Sequence, residues 1–432
     1  MAPHTILMPV SQTRSLVFAL AGTFVLRCAS YGAGIIIPTF LGIKSRSDSD
    51  VTASLAALIA ITFYGAELVG APIFGALSDR RGRKLFMILG PIFGGVAIQM
   101  LGFTSIIPIL IVVRVLEGLS TASSAPATLG FLSAATASSE RSRGRVMGLY
   151  EAATVVGLAS GAALGGRLYD SFGTTAFTLL AIVYLVSLLL FLPVRDVKTS
   201  RDAAHHPGFA TLRRVASGRI LRFAPAWLAA NAVLGSWFAV APFLASGRPD
   251  PSQFLMQGFR PGQIGVAFMA FGIVFTLGAI TWGFVMPRIG RQATLLIGVA
   301  GLLASTPIFF IINRQSAGQE RTTMLALFAI LAVAIFVESG FTPAALAYLA
   351  EIAEERPSDR GAVMGLYSVL LSVGQLLGGA LAGPAASLAG INGLIGVTVV
   401  LGVVAAVTVV KLGRSEAQSR LVEMDPTMTM PG

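Results

Sequence analysis

Apolar residues along this chain come in long continuous runs rather than in alternation. Twelve mostly apolar stretches stand out, at 15–41, 52–78, 85–103, 107–134, 144–167, 173–193, 221–246, 262–287, 292–313, 322–350, 361–387 and 390–411. About 20 such residues suffice for a helix to cross about 30 Å of hydrocarbon. Continuous runs predict spanning helices, because a barrel strand would alternate apolar and polar positions. Arg14 followed by an apolar run containing Ala19-Leu20-Ala21 has the outline of a signal peptide. That run continues to Leu41, however, so the pattern predicts a first spanning helix. The expected fold is an all-α membrane protein with twelve transmembrane helices.

Composition agrees. Of 432 residues, 55% are hydrophobic and only 12% are charged, about half the charge of an average soluble protein. One cysteine, Cys28, excludes an internal disulfide framework, and three histidines leave little for a zinc site. No catalytic residues, metal or cofactor are expected. The formal net charge is +11, which by itself would suit nucleic acid. Its distribution argues for another cause. With the N-terminus placed in the cytoplasm, most of the 31 Lys and Arg residues fall in cytoplasmic loops and tails. That is the positive-inside bias. Both termini are therefore expected inside, with contact to anionic lipid headgroups and no nucleic-acid partner.

The longest polar stretch divides six spans from six. The expected organisation is a six-helix bundle over 1–194, a cytoplasmic linker over 195–220, a second bundle over 221–414 and a disordered cytoplasmic tail over 415–432. Residues 1–13 also look disordered. The two halves repeat each other: Arg143-Gly144-Arg145-Val146-Met147-Gly148-Leu149-Tyr150 returns as Arg360-Gly361-Ala362-Val363-Met364-Gly365-Leu366-Tyr367. Pro126 through Leu132 is echoed by Pro343 through Leu349, and Gly75 through Arg83 by Gly283 through Arg291. A duplicated six-helix unit suits a transporter whose two bundles rock about a site near the bilayer midplane.

Between the second and third spans stands Gly75-Ala76-Leu77-Ser78-Asp79-Arg80-Arg81-Gly82-Arg83-Lys84. This is similar to the loop 2–3 signature of the major facilitator superfamily, Gly-x-Leu-x-Asp-Arg-x-Gly-Arg-Lys, and the twelve-helix drug/proton antiporters are the group it most resembles. The copy at Gly283–Gln292 carries Pro287 in place of the acid. Small residues let helices approach closely in lipid, and Gly82 lets the chain turn. Asp79 is placed to pair with Arg83 or Arg80, or to meet the helix start at Arg360-Gly361. The resemblance implies that Gly75, Asp79, Arg80, Gly82 and Arg83 form a cytoplasmic gating latch; the plain alternative is that these charges only set topology. In the fourth span, Arg114 with Glu117 and Gly118 resembles the family's Arg-x-x-x-Gly element, which implies a part in proton handling. A self-neutralised pair is the alternative. Gly157, Gly161 and Gly165 resemble the antiporter signature of the fifth span, with Ala162 where that signature has proline; they also suit plain helix packing.

Ionisable groups inside a membrane are functional candidates by default. They are Arg27, Glu67, Arg114, Glu117, Glu151 and Glu338. Burial disfavours the charged form of a carboxyl group, which lets it take up and release a proton. Glu67 and Glu338 are the favoured proton carriers, with Glu117 held ionised by Arg114; a buried Glu67–Arg27 pair is the alternative for Glu67. Arg27 could instead hold an anionic substrate. Arg27, Tyr31, Asn231, Trp237 and Gln375 are expected to line a substrate cavity, whereas Trp227, near a span end, is read as an interfacial anchor. With the resemblance, these features imply a monomeric, non-enzymatic secondary transporter of the bacterial plasma membrane. Its expected activity is proton-coupled efflux of amphipathic small molecules. Proton-coupled uptake or facilitated passage of a sugar or organic anion is the alternative. A non-transporting receptor would need larger soluble loops, and a membrane-embedded enzyme finds no motif here.

Overall fold

The structure is a computed structural model. It describes residues 10–103, 106–137, 140–196, 218–316, 318, 320–355 and 360–424, and of these the side chains of 10, 11, 140, 141, 353–365, 367 and 416–424 fall outside the description. The linker expected at 195–220 lies mostly outside it as well. Every long element among the described residues is helical. In chain order these are α1 (Val10–Ser45), α2 (Ala53–Arg81), α3 (Arg83–Phe103), α4 (Ile107–Ala135), α5 (Glu140–Phe172) and α6 (Thr175–Phe191). They continue with α7 (Gly218–Ser246), α8 (Pro261–Ile289), α9 (Arg291–Asn313), α10 (Arg321–Glu338), α11 (Phe341–Glu355) and α12 (Arg360–Met424).

Ten segments among the described residues are long and apolar enough to cross a membrane, and α6 adds a shorter apolar helix. The protein is an integral membrane protein. Two predicted boundaries move. The stretch read as one span at 322–350 stops at Ser339–Gly340 and restarts as α11. The two stretches at 361–387 and 390–411 join into α12, broken only by non-helical backbone at Ala389 and Gly390. Helix also extends further at both ends than expected. α1 begins at Val10, and α12 runs to Met424, past position 415, where a disordered tail was expected. The good helix formers Glu416, Ala417, Gln418 and Arg420 carry it on.

Two compact units are present. The first takes in residues up to His205 together with Pro242–Arg248 and Gly258–Gly272; the second takes in the rest. α7 and α8 are thus divided between units, which the simple boundary at 221 did not foresee. Within the first unit, α1 packs chiefly on α5, and α4 on α2 and α3. Hydrogen bonds explain why the ends of α7 and α8 belong to it. Arg46 donates through Nε and Nη2 to the Ser246 carbonyl at 3.0 and 2.7 Å, and Arg248 donates to the Ser45 carbonyl at 2.9 Å. Asp170 accepts from the Gly262 amide in the first turn of α8 at 3.0 Å, an acid at a helix N-terminus. Within the second unit, α9 packs against α10, α11 and α12.

Candidate functional site

The glycine face of α5 sets the geometry of the first unit. A Cβ on Gly157 would stand 2.6 Å from the Arg27 Cβ, and one on Gly161 would stand 2.9 Å from the Cys28 Cα. Gly165 lies equally close to Gly32. Small residues at four-residue spacing therefore bring α5 backbone to backbone with α1. This approach carries Tyr150 of α5 to Arg27 of α1. The Arg27 guanidinium meets the Tyr150 hydroxyl, and Tyr31 and Glu67 lie within reach of its charge. Arg27, Tyr31 and Glu67 thus form one cluster, joined by a tyrosine that sequence reasoning overlooked. Glu151, the next residue, is exposed.

Arg114 and Glu117 make a different kind of pair. They lie one helical turn apart on α4, their side chains 9% and 1% exposed, at an Nη1–Oε2 distance of 2.7 Å. The guanidinium also sits 4.8 Å above the Phe63 ring of α2. A fixed positive charge answers the buried carboxylate, which is the self-neutralised arrangement.

At the end of this unit that carries the α2–α3 turn, Asp79 pairs with Arg83 at 3.0 Å. Arg83 Nη1 also donates to the Gly130 carbonyl of α4 at 2.7 Å. Gly82 sits at φ +99°, where a side chain would be strained, and its amide donates to the Ser78 carbonyl. Gly75 is buried, whereas Arg80 is exposed.

The second unit holds a cavity of about 160 Å3. Trp227 and Asn231 of α7, Phe275 of α8, Glu338 at the end of α10, Phe341 of α11 and Gln375 of α12 line it. Asn231 is held in place by donating to the Trp227 carbonyl at 2.9 Å. Trp227 and Phe341 stack with centroids 6.1 Å apart and planes 16° from parallel. Glu338 is the one ionisable side chain among the lining residues. A carboxyl group, two carboxamides and flat aromatic walls make a compartment suited to an amphipathic guest.

Two tryptophans depart from the places expected of them. Trp227 is 2% exposed and belongs to the core and the cavity wall, not to an interface. Trp237 is absent from the cavity lining: it stacks on Phe309 at 4.5 Å and donates to Thr398 Oγ1 at 2.9 Å. Their separation of ten positions places them on different faces of α7, and only the neighbouring helices determine which face is inward.

The description "Major Facilitator Superfamily" belongs to the family model that matches residues 19–256 and 250–425. Multidrug resistance protein 1 of Bacillus subtilis is 26% identical over 361 residues, 81% of this chain and 85% of that one. The human synaptic vesicular amine transporter is 25% identical over 242 residues, 54% of this chain and 44% of that one. Among solved structures, the nucleoside transporter NupG superposes with a TM-score of 0.71 at 13% identity, covering 94% of this chain and 99% of that chain. These relatives and the fold identify a transporter, not an enzyme. The chain belongs to the Major Facilitator Superfamily.

Proposed function

We propose that this chain is a proton-driven antiporter that exports amphipathic small molecules by alternating access. Twelve spans follow if α6 counts as one, α10 and α11 together as one, and α12 as two parted at Gly390. The end carrying the α2–α3 and α8–α9 turns faces the cytoplasm, as do both termini, in a bacterial plasma membrane, and the working unit is a monomer. The observation that carries this reading is the cavity that sets Glu338 beside Asn231, Gln375 and the Trp227–Phe341 stack. A carboxyl group in such a place can take either a proton or a cationic amphipath, so the two compete. The relative described as a multidrug resistance protein supports this direction.

Glu67, beside Arg27, is the second candidate proton carrier, and Asp79 with Arg83 is the cytoplasmic latch. Arg114 and Glu117 support coupling by keeping α4 in register with α2. The competing reading is proton-coupled uptake or facilitated passage of a sugar or organic anion. The cluster of Arg27, Tyr31 and Tyr150 favours it, because a guanidinium bonded to the Tyr150 hydroxyl, with Tyr31 near it, can hold an anion. Proteoliposomes with a trapped pH dye separate the two. Ethidium and other lipophilic cations should evoke a pH change in the antiport sense. A response confined to sugars or organic anions in the cotransport sense would overturn the efflux reading and make Arg27 the substrate ligand.

A further inference from the structure

α10 ends at Glu338 in the middle of what the apolar pattern predicts as a single span. A helix that stops leaves carbonyls without amide partners, and away from water each must find a donor within the protein. The stop is built from three helices. The Phe336 carbonyl accepts from Ser339 Oγ at 2.7 Å and from the Trp282 Nε1–H of α8 at 2.9 Å. The indole lies against Gly340, where a Cβ would stand 2.9 Å from two ring carbons. On the other side, a Cβ on Gly301 of α9 would stand 2.9 Å from the Glu338 Cα. The ring, the glycine beneath it and the glycine hollow of α9 thus define where α10 ends.

We propose that Trp282 is a positioning residue for Glu338. By donating to the Phe336 carbonyl, it holds α10 to a stop at Glu338 and so aims that carboxyl into the cavity. Glu338 is the last residue of α10, so a stop one residue earlier would take it out of helical backbone, where its direction is set at about 100° from its neighbour, and turn its carboxyl off the cavity wall. Among the described residues that line the cavity, no other is charged. α7 brings Trp227 and Asn231, α8 brings Phe275, α9 brings Gly298, Val299 and Leu302, α11 brings Phe341 and Thr342, and α12 brings Leu371 and Gln375. The setting of the break is therefore what governs the behaviour of this carboxyl. The inference deepens the transport reading of the same cavity, and its test is chosen to be independent of flux.

The test uses the full-length protein in liposomes and dicyclohexylcarbodiimide, which modifies protonated carboxyl groups in apolar surroundings. Mass spectrometry of the peptide containing Glu338, over a series of pH values, gives the pH of half-modification. W282F removes the N–H donor and keeps an aromatic ring; G340A pushes that ring with one methyl group. Both should displace the half-modification pH by about half a unit or more. Both should also lower kcat for ethidium several-fold while KM stays within about twofold. Should W282F fail to fold, G340A decides alone. Half-modification at the wild-type pH in every folded variant would overturn the proposal. If the wild-type protein moves no probe, the transport reading fails, yet the modification shift still decides the role of Trp282.

Discussion

Arg291 and Glu351 form an ion pair in the second unit, joining the first residue of α9 to the end of α11. Glu351 also accepts from Arg219 of α7 at 2.9 Å. In the first unit the equivalent arginine, Arg83, pairs instead with Asp79 one turn before it on α2. The second copy of the signature has Pro287 where that acid would stand, and the carboxylate reaches Arg291 from another helix. Arg291 also lies 4.6 Å above the Tyr348 ring. Tyr348 meets Phe223 at 4.7 Å, and Phe223 stacks on Trp227 at 6.4 Å. An aromatic column therefore runs from this ion pair to the cavity wall.

Relocating the acid should rescue its loss. Glu351→Ala removes a partner from two arginines whose ion pairs are partly exposed, so the expected cost is at most about 1 kcal/mol per pair. Adding Pro287→Asp restores an acid four residues before Arg291, the spacing seen for Asp79 and Arg83. The melting temperature of detergent-solubilised protein should fall in the single variant and recover in the double variant, but not when Pro287→Ala takes the place of Pro287→Asp.

Breaking the buried pair should hurt more than replacing both of its members. Arg114→Ala leaves Glu117, 1% exposed, without its cation, and such losses cost about 3–5 kcal/mol. Arg114→Met with Glu117→Leu leaves no orphaned charge and should recover most of the melting temperature. Equal damage from the single and double variants would refute this account of the pair.

Glu338→Gln keeps the size and polarity of the cavity wall but cannot release a proton. In proteoliposomes this variant should bind ethidium more weakly, having lost the charge that meets the cation, and should produce no pH change on transport. Coupled flux at the wild-type rate would remove Glu338 from the proton path and leave Glu67 as the candidate.

Glycines on α1 and α5 should divide sharply. Gly161→Val drives a side chain into the backbone of Cys28, and overpacking of this kind costs about 1–3 kcal/mol. Gly34→Ala meets nothing within 4 Å and gains helix propensity of up to about 1 kcal/mol. Melting curves should fall for the first and hold or rise for the second.

Asp250, in the α7–α8 loop, gives a pH prediction with a definite sign. Hydrogen bonds from the Ser252 hydroxyl and amide and from Gln253 favour its charged form and hold it below the ordinary aspartate range. A group depressed on folding stabilises the native state above its unfolded value, and that support is lost as pH falls through the folded value. The loop should therefore stay intact down to pH values below about 3.9. Asp250→Asn should remove the acid-dependent step from amide exchange measured on this loop.

Much of the fold was legible in the sequence. Long apolar runs announced the helices, and the internal repeat announced two related halves. The contiguous stretch from Gly75 to Lys84 pointed to the superfamily. Of the candidate site, the sequence singled out Glu338, Asn231 and Gln375, which share one cavity wall, and Arg27, Tyr31 and Glu67, which form one cluster. It placed Trp227 at an interface rather than on the cavity wall, and it missed Tyr150, Trp282 and Glu351. Each of these acts through a partner on another helix, and no local spacing announces such a partner.

What the sequence by itself determined was therefore the identity of the elements, their family and the short list of charges worth examining. All three are written in contiguous residues: hydropathy over about 20 positions, a turn signature, and ionisable groups in apolar surroundings. Only the tertiary structure decided which tryptophan faces the cavity, where α10 stops and which acid answers Arg291. A spanning helix is apolar on its lipid side as well as on its protein side, so its periodicity does not mark the inward face. That choice is made by close packing at glycines and by donors that satisfy exposed carbonyls, and both come from distant parts of the chain.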